Sequence, residues 1–157
     1  MLGWGEFRQE QPELAQAGRD IFYQFGVGLA FLGTVRRDGG PRVHPVRVLI
    51  HQGGLYTLLV PSFKQRDLLR DPRYALHSYP RPDDEDDFYV SGEAHEVPGR
   101  PELRTAVERQ FVDEMSMDFP IEELAGQHLF EHRIATCLRT VTKGHGDPAP
   151  VRTVWRM

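Results

Sequence analysis

Apolar positions in this chain follow two periods, which predict a β-rich structure with three helices. Seven stretches either alternate between apolar and polar residues or run without a polar break, as β-strands do. The predicted strands are 29–35, 42–51, 55–60, 73–79, 88–97, 128–142 and 151–156. Apolar residues recur at helical spacing in 12–25 and 101–117, and the stretch 63–70 has the length of two helical turns.

Individual side chains in these elements carry further expectations. Leu29–Val35 is a continuous apolar run, which predicts a strand covered on both faces. Trp4 and Phe7 lie in a polar N-terminal segment, which we expect to pack as an arm against the body of the protein or a partner subunit. In the short helix, Leu68 and Leu69 are both expected to face inward.

Glycine-containing turns join the first three strands into a meander. Asp38-Gly39 supplies the positive φ that a tight hairpin turn requires, and Gln52-Gly53-Gly54 makes the next turn. Three consecutive antiparallel strands are the usual start of a small barrel or sandwich. Gly92 lies inside the predicted strand 88–97 and indicates a bulge or a close approach of two backbones.

The start of the short helix after the third strand is the main chemical signal in the sequence. A helix N-terminus presents unpaired N–H groups and a positive dipole, and anions bind there. Lys64 and Arg66 add cations in the first turn, and Arg47 on a neighbouring strand could complete a phosphate pocket. Ser62 and Gln65 also have capping-box spacing, so Ser62 could simply cap the helix while the cations face water. Residue chemistry alone leaves both interpretations open.

Composition restricts the class of protein. The 157 residues are expected to form one domain, 1–157. Lysine and arginine number 19 against 23 acidic residues, a net charge of −4 with no basic stripe, so nucleic acid is not an expected partner. No apolar stretch approaches the ~18 residues of a membrane span, and no leader pattern is present. With the single cysteine, Cys137, this predicts a soluble, cytoplasmic protein.

No self-sufficient catalytic set is found. Gly26-Val27-Gly28 lacks the third glycine of a dinucleotide fingerprint, and Ser91-Gly92 is not a nucleophile elbow. The acidic run 83–87 lacks the ligand spacing of a calcium loop. His128 and His132 lie in a predicted strand, where a spacing of four separates them by ~13 Å, so no metal site is expected. A cofactor enzyme fits this pattern, because the cofactor supplies the reactive centre.

A series of motifs resembles the pyridoxamine 5′-phosphate oxidase-like, FMN-binding split β-barrel family in order and spacing. The motifs are Phe31-Leu32-Gly33-Thr34-Val35, the stretch Asp38 to Val46, Leu55-Tyr56-Thr57, Ser62-Phe63-Lys64-Gln65-Arg66, Asp71-Pro72-Arg73 and Val90-Ser91-Gly92-Glu93-Ala94. They span about 28–97, and the C-terminal 151–156 is similar more loosely. The resemblance implies an α+β split β-barrel whose strands lie in 28–97 and 127–156. It also implies a two-fold homodimer with two FMN sites in the seam.

The resemblance assigns the phosphate of FMN to the start of the short helix. Ser62 and Lys64 would donate to the phosphate, and Arg47 would be a further phosphate ligand. Arg66 would be an additional cation. The chemistry implied is hydride transfer at the flavin, with a small-molecule substrate and with NAD(P)H as a candidate electron donor.

The resemblance assigns the ring system of the flavin to other residues. The backbone of Val48 and Leu49 would pass along the isoalloxazine edge. Trp155, on the terminal strand, would reach a flavin held mainly by the other subunit; the alternative is that its indole closes the barrel seam.

Two departures from the family pattern bear on substrate and cofactor. The chain stops at Trp155-Arg156-Met157, without the arginine-rich substrate loop of the true oxidases, so oxidation of vitamin B6 phosphates is not expected. Position 63, a cation in those oxidases, is Phe63 here, which removes one phosphate donor. Relatives of the fold use a deazaflavin coenzyme or haem, so a non-catalytic or differently loaded binding module is the alternative function.

Overall fold

The computed structural model describes residues 1–115 and 118–157, which form eight strands, four α-helices and one 3-10 turn. The strands are β1 (Leu29–Val35), β2 (Pro41–Arg47), β3 (Leu49–His51), β4 (Gly54–Leu59), β5 (Arg73–Ser78), β6 (Asp87–Glu96), β7 (His128–Val141) and β8 (Val151–Arg156). The helices are α1 (Trp4–Glu10), α2 (Pro12–Phe22), α3 (Phe63–Arg70) and α4 (Pro101–Asp113), and the 3-10 turn is Ile121–Leu124. The last two positions of the predicted helix 101–117 lie outside the described residues.

All the strands belong to one antiparallel sheet that curls on itself. Its order is β2-β1-β5-β6-β7-β4-β3, and β8 pairs with β7. β2 and β3 lie at opposite ends of this order, yet only Val48 separates them in the chain, so the two ends of the sheet meet there. Along one edge of β7, β4 pairs with the first residues and β8 with the last. The sheet forks at that edge, and this confirms the predicted α+β split barrel.

A bulge in β6 lies where the sequence predicts one. The register between β6 and β7 shifts between Ser91 and Gly92. A Cβ atom at Gly92 would stand 2.0 Å from the carbonyl oxygen of Arg133. Only a glycine therefore allows the two backbones to approach this closely, and the strand bends with the barrel.

The core has two parts, one inside the barrel and one under α4. Phe22 from α2 and Phe88 from β6 pack edge to face inside the barrel, with ring centroids 5.4 Å apart. Leu103 and Val107 of α4 form the second part with the β4 and β7 side chains that face them. Among the described residues, no helix is long and apolar enough to cross a membrane.

Several local predictions are wrong because they rest on pattern without tertiary context. The N-terminal segment packs against the barrel through the buried Trp4 and Phe7, as predicted, but residues 4–10 form a helix, α1, that the sequence analysis does not predict. The predicted strand 42–51 breaks at Val48, where the chain leaves one end of the sheet for the other. β1 alternates between buried and half-buried residues instead of being covered on both faces.

Two apolar side chains of the predicted helices are exposed. Leu69 is 52% exposed, whereas its neighbour Leu68 is buried, because only one face of α3 packs on the sheet. The predicted helix 12–25 ends at Phe22, and Phe25 beyond it is half exposed.

A histidine in the barrel core predicts acid sensitivity of the fold. His132 is fully buried, its Nε2 lies 3.0 Å from the Thr57 hydroxyl, and burial lowers its pKa to about 3. The unfolded chain binds this proton near pH 6.5 and the folded chain only near pH 3, so stability falls as the pH drops below about 6.5. We expect the free energy of unfolding to be about 2 kcal/mol lower at pH 5 than at pH 7 from this group.

Urea unfolding of His132→Gln tests this expectation. The variant should lose the acid-dependent part of the decrease in stability, because the titrating imidazole is gone. His95→Gln, at an exposed position on β6, serves as the control and should keep the decrease. An identical pH dependence in His132→Gln and the unmodified protein would contradict the assignment.

Candidate cofactor site

The N-terminus of α3 has the geometry of an anion site. β4 ends at Leu59, and three residues later Ser62 is the N-cap in extended conformation. Its hydroxyl accepts a hydrogen bond from the Gln65 N–H at 3.5 Å, at the long limit for such a bond. The first-turn N–H groups of Phe63 and Lys64 have no acceptor within the helix, because no preceding helical turn exists. Both sequence interpretations therefore meet here: Ser62 caps α3 weakly, and amides remain available for an anion.

Lys64 is half-buried in the first turn of α3. Among residues 1–115 and 118–157, no carboxylate lies within ion-pair distance of its ammonium group. An ammonium group beside helix N–H groups and without a counterion attracts a negatively charged ligand. Lys64 therefore has the charge and the position that a phosphate donor needs, and its contact with a phosphate stays a prediction.

Arg66 lines a cleft of about 710 Å³ between α3 and the β1–β2 hairpin, which we call the arginine cleft. Its lining residues are Arg36, Arg37, Asp38, Arg42, Phe63, Arg66, Asp67 and Arg70. Five arginines and two aspartates give the lining a formal charge of +3, although the whole chain carries −4. The cleft therefore concentrates positive charge next to the start of α3.

Asp67 fixes the geometry of this cleft from inside α3. Its carboxylate accepts hydrogen bonds from the Thr34 hydroxyl at 3.1 Å and from Arg42 Nε at 2.7 Å. Arg70 Nη1 lies 3.4 Å from its other oxygen. Burial raises the pKa of this carboxyl, but the hydrogen bonds from Arg42 and Thr34 outweigh burial and hold the pKa below its usual range. The network ties α3 to β1 and β2 and orients two of the five arginines.

The structure places Arg47 under α4. Its guanidinium donates to the Phe111 carbonyl at 2.9 Å and to the Glu114 carboxylate at 2.8 Å, and it stacks over the Phe111 ring. Burial lowers the pKa of Arg47, although Glu114 opposes the shift. Its Nε is buried with no hydrogen-bond partner among the described residues. The guanidinium is therefore held under α4, but its hydrogen-bonding capacity is not fully used.

Val48 and Leu49 lie at the junction of β2 and β3 and are fully buried. The Val48 N–H donates to the Gly28 carbonyl at 3.0 Å, so this donor is already used within the chain. The Tyr23 hydroxyl donates to the Val48 carbonyl at 3.5 Å and accepts from the Ile50 N–H at 3.1 Å. In this conformation neither residue offers surface to a ring system, and their contact with a flavin stays a prediction.

Trp155 packs in the core of its own chain. Its ring lies 5.2 Å from Phe7, and its indole N–H donates to the Glu10 carboxylate at 2.9 Å. Only 9% of the residue is exposed. This geometry favours the alternative in which the indole closes the barrel seam.

Position along β7 separates Trp155 from α3 within one chain. Trp155 pairs with Cys137, whereas Leu59, just before α3, pairs with His128. His128 and Cys137 are nine positions apart in β7, which corresponds to roughly 30 Å along the strand. A single chain therefore does not bring the terminal strand and the start of α3 into one site.

Another cavity lies at the start of β1 and the end of β5. It has a volume of about 430 Å³ and includes the stacked rings of Phe31 and Tyr79, 4.4 Å apart, together with His77. Four acidic residues from 84–87 face the same space, so this cavity does not attract phosphate. Among the described residues, no cluster of three or more potential ligands could hold a metal ion.

Sequence reasoning found Arg66 but missed Arg36, Arg37, Arg42 and Arg70. One signal was present: Phe63, Arg66, Asp67 and Arg70 recur at the spacing of one helical face. The other half of the cleft comes from the tip of the first hairpin, and only the tertiary structure brings it to α3.

Comparisons with known proteins find similarity in structure alone. No protein-family model matches the sequence, and no curated protein matches it. A pyridoxamine 5′-phosphate oxidase-related, FMN-binding protein from Nostoc punctiforme superposes with a TM-score of 0.64 at 14% identity, over 96% of this chain and 90% of that one. The chain has the pyridoxamine 5′-phosphate oxidase-like split-barrel fold.

Two proteins named for other cofactors have the same fold. A heme binding protein from Mycobacterium smegmatis superposes with a TM-score of 0.64 at 17% identity; the match covers 91% of this chain and 58% of that one. An F420 reductase superposes with a TM-score of 0.54 at 20% identity, over 69% of this chain and 87% of that one. The split barrel here thus shares its fold with proteins named for three different cofactors.

Proposed function

We propose that this protein is a flavin-dependent oxidoreductase that binds FMN with its phosphate at the start of α3. The observation that carries the proposal is the half-buried Lys64, without a counterion among the described residues, beside free first-turn amides. A phosphate fits this donor set, because it is a dianion with three acceptor oxygens. FMN, when bound, supplies hydride transfer, and the protein supplies binding, orientation and charge.

Four residues hold the phosphate end in this proposal. The Ser62 hydroxyl and the Lys64 ammonium group would donate directly, and Arg66 would add a cation from the same first turn. Arg47 joins them only if its guanidinium leaves Glu114, and its unpaired buried Nε supports this assignment. Val48 and Leu49 would meet the isoalloxazine edge in the same rearranged state, because both are fully buried in the present one.

A complete site requires two copies of the chain. The start of α3 and the terminal strand lie roughly 30 Å apart along β7, which supports a two-fold homodimer that joins one chain's α3 to the other's terminal strand. Within this dimer Trp155 would reach the flavin only after releasing Glu10, and otherwise it closes the seam. The substrate would be a small molecule, and the reductant NAD(P)H.

The absorption spectrum of the purified protein tests the proposal. Flavin, haem and a deazaflavin absorb differently in the visible range, so one spectrum identifies the cofactor carried through purification. We expect a flavin spectrum, or its appearance on adding FMN, and bleaching by NAD(P)H without oxygen. A haem spectrum, or tight cofactor binding without reduction by any donor, would instead support the binding module, an alternative that the fold of the heme binding protein favours.

Removing Glu114 should strengthen FMN binding. Glu114→Gln breaks the ion pair that holds Arg47 under α4, so less energy is needed to bring the guanidinium to the phosphate. We expect the Kd for FMN to fall by about tenfold, and the ligand-free protein to lose stability because a buried charge loses its partner. Asp113→Asn, one residue earlier and exposed, should change neither quantity. An unchanged Kd would make Arg47 a structural residue.

A further inference from the structure

We propose that the arginine cleft is a second ligand site, separate from the Lys64 position, that binds a nucleotide through its phosphates and its aromatic base. The cleft lies between α3 and the tip of the β1–β2 hairpin. Its arginines would hold the phosphate chain, and Phe63 with its two stacked guanidinium groups would hold the base. The volume of about 710 Å³ is within the range of small-molecule sites.

The cleft contains more arginines than its carboxylates can pair with. Asp67 pairs with Arg42 and Arg70, and Asp38 pairs with Arg36. Across the described part of the chain, neither Arg37 nor Arg66 has a carboxylate partner. Two guanidinium groups are therefore free to bind an anion, and guanidinium groups suit phosphate oxygens because they donate two parallel hydrogen bonds.

Phe63 indicates that the ligand carries an aromatic ring. The residue is 63% exposed, so this large apolar side chain contributes nothing to the core. Arg42 lies 5.0 Å and Arg66 4.7 Å from the centre of its ring. Guanidinium planes stack on aromatic faces, so a base can extend this stack while its phosphates reach the neighbouring arginines.

The cleft is built before any ligand arrives. Asp67 holds Arg42 and Arg70 from a buried position, and Arg70 also donates to the Val35 carbonyl. Cations fixed by such bonds lose less conformational freedom on binding than flexible surface side chains do. This arrangement distinguishes the cleft from a solvated basic patch.

The cleft and the phosphate position use different faces of α3. Phe63, Arg66, Asp67 and Arg70 share the face that lines the cleft, and Lys64 is not part of that lining. Arg66 is the one residue named for both positions, so the nucleotide site is tested with Arg37 and Phe63, which have no role in FMN binding. One role of the cleft rests on the proposed function, namely binding of the electron donor. A nicotinamide dinucleotide contains an adenosine diphosphate group, and the cleft would bind that group.

Calorimetric titration of the full chain with ADP, adenosine and pyrophosphate tests the proposal at about 0.15 M salt. ADP should bind more tightly than adenosine or pyrophosphate, because only ADP has both recognised groups. Arg37→Gln should raise the Kd values for ADP and for pyrophosphate by about tenfold each. Phe63→Ala should raise the Kd for ADP by about tenfold and leave the Kd for pyrophosphate unchanged. Arg152→Gln, an exposed arginine on β8, is the matched control and should change nothing.

Three results would overturn the nucleotide site. They are an absence of ADP binding at millimolar concentration, an equal loss in Arg152→Gln and Arg37→Gln, and loss of ADP binding in Lys64→Ala, which would merge the two sites. If FMN binds and ADP does not, only the nucleotide site fails. If ADP binds as expected and FMN does not, the proposed flavin function fails and the nucleotide site stands.

Discussion

Replacing Lys64 with alanine is expected to raise the Kd for FMN between about 10- and 150-fold. A charge-assisted hydrogen bond to a phosphate contributes about 1.5–3 kcal/mol, and no neighbouring lysine can replace it. The variant should fold normally, because alanine is a good helix former and Lys64 has no carboxylate partner among the described residues. Quenching of FMN fluorescence on binding measures the Kd.

Lys143 is the matched control, because it is the only other lysine in the sequence. It is exposed and lies in the loop between β7 and β8. Lys143→Ala makes the same change in net charge and should leave the Kd for FMN unchanged. Equal Kd values for Lys64→Ala and the unmodified protein would remove Lys64 from the phosphate site.

Gly28→Ala is expected to lower the free energy of unfolding by about 3 kcal/mol or more. A Cβ atom at Gly28 would lie 2.1 Å from the Val48 carbonyl oxygen and 3.0 Å from the Tyr23 ring. A backbone atom cannot move aside as a flexible side chain can, so the junction that closes the barrel must shift. The shift would also lengthen the hydrogen bond from the Val48 N–H to the Gly28 carbonyl.

Gly126→Ala provides the comparison for this substitution. No heavy atom beyond its chain neighbours lies within 4 Å of a Cβ atom at Gly126, so the variant should retain its stability. Urea unfolding of both variants measures the difference between their free energies of unfolding. Similar stability in the two variants would show that β1 and the β2–β3 junction are not in close contact.

Local sequence signals were sufficient wherever the structure is local. The bounds of α3 agree with the prediction, because a serine N-cap and an Asp-Pro pair mark its two ends. The bulge at Gly92 was predictable, since a glycine inside a strand has few other uses. The resemblance then supplied the barrel, which residue patterns alone left open between a barrel and a sandwich.

Features that depend on distant parts of the chain were not predictable. The break at Val48 has no local signal, because it arises where the two ends of the sheet meet. The hydrogen bonds of Arg47 to Phe111 and Glu114 join residues more than sixty positions apart. For the same reason the arginine cleft was seen only through Arg66, since its remaining arginines come mainly from a different hairpin.

Comparing the affinities for FMN and riboflavin isolates the contribution of the phosphate to binding. The two ligands share the ring system and differ in the phosphate, which we assign to Ser62, Lys64 and the start of α3. FMN should bind at least about tenfold more tightly than riboflavin, and Lys64→Ala should remove most of that difference. Equal affinity for the two ligands in the unmodified protein would contradict a phosphate site at this helix.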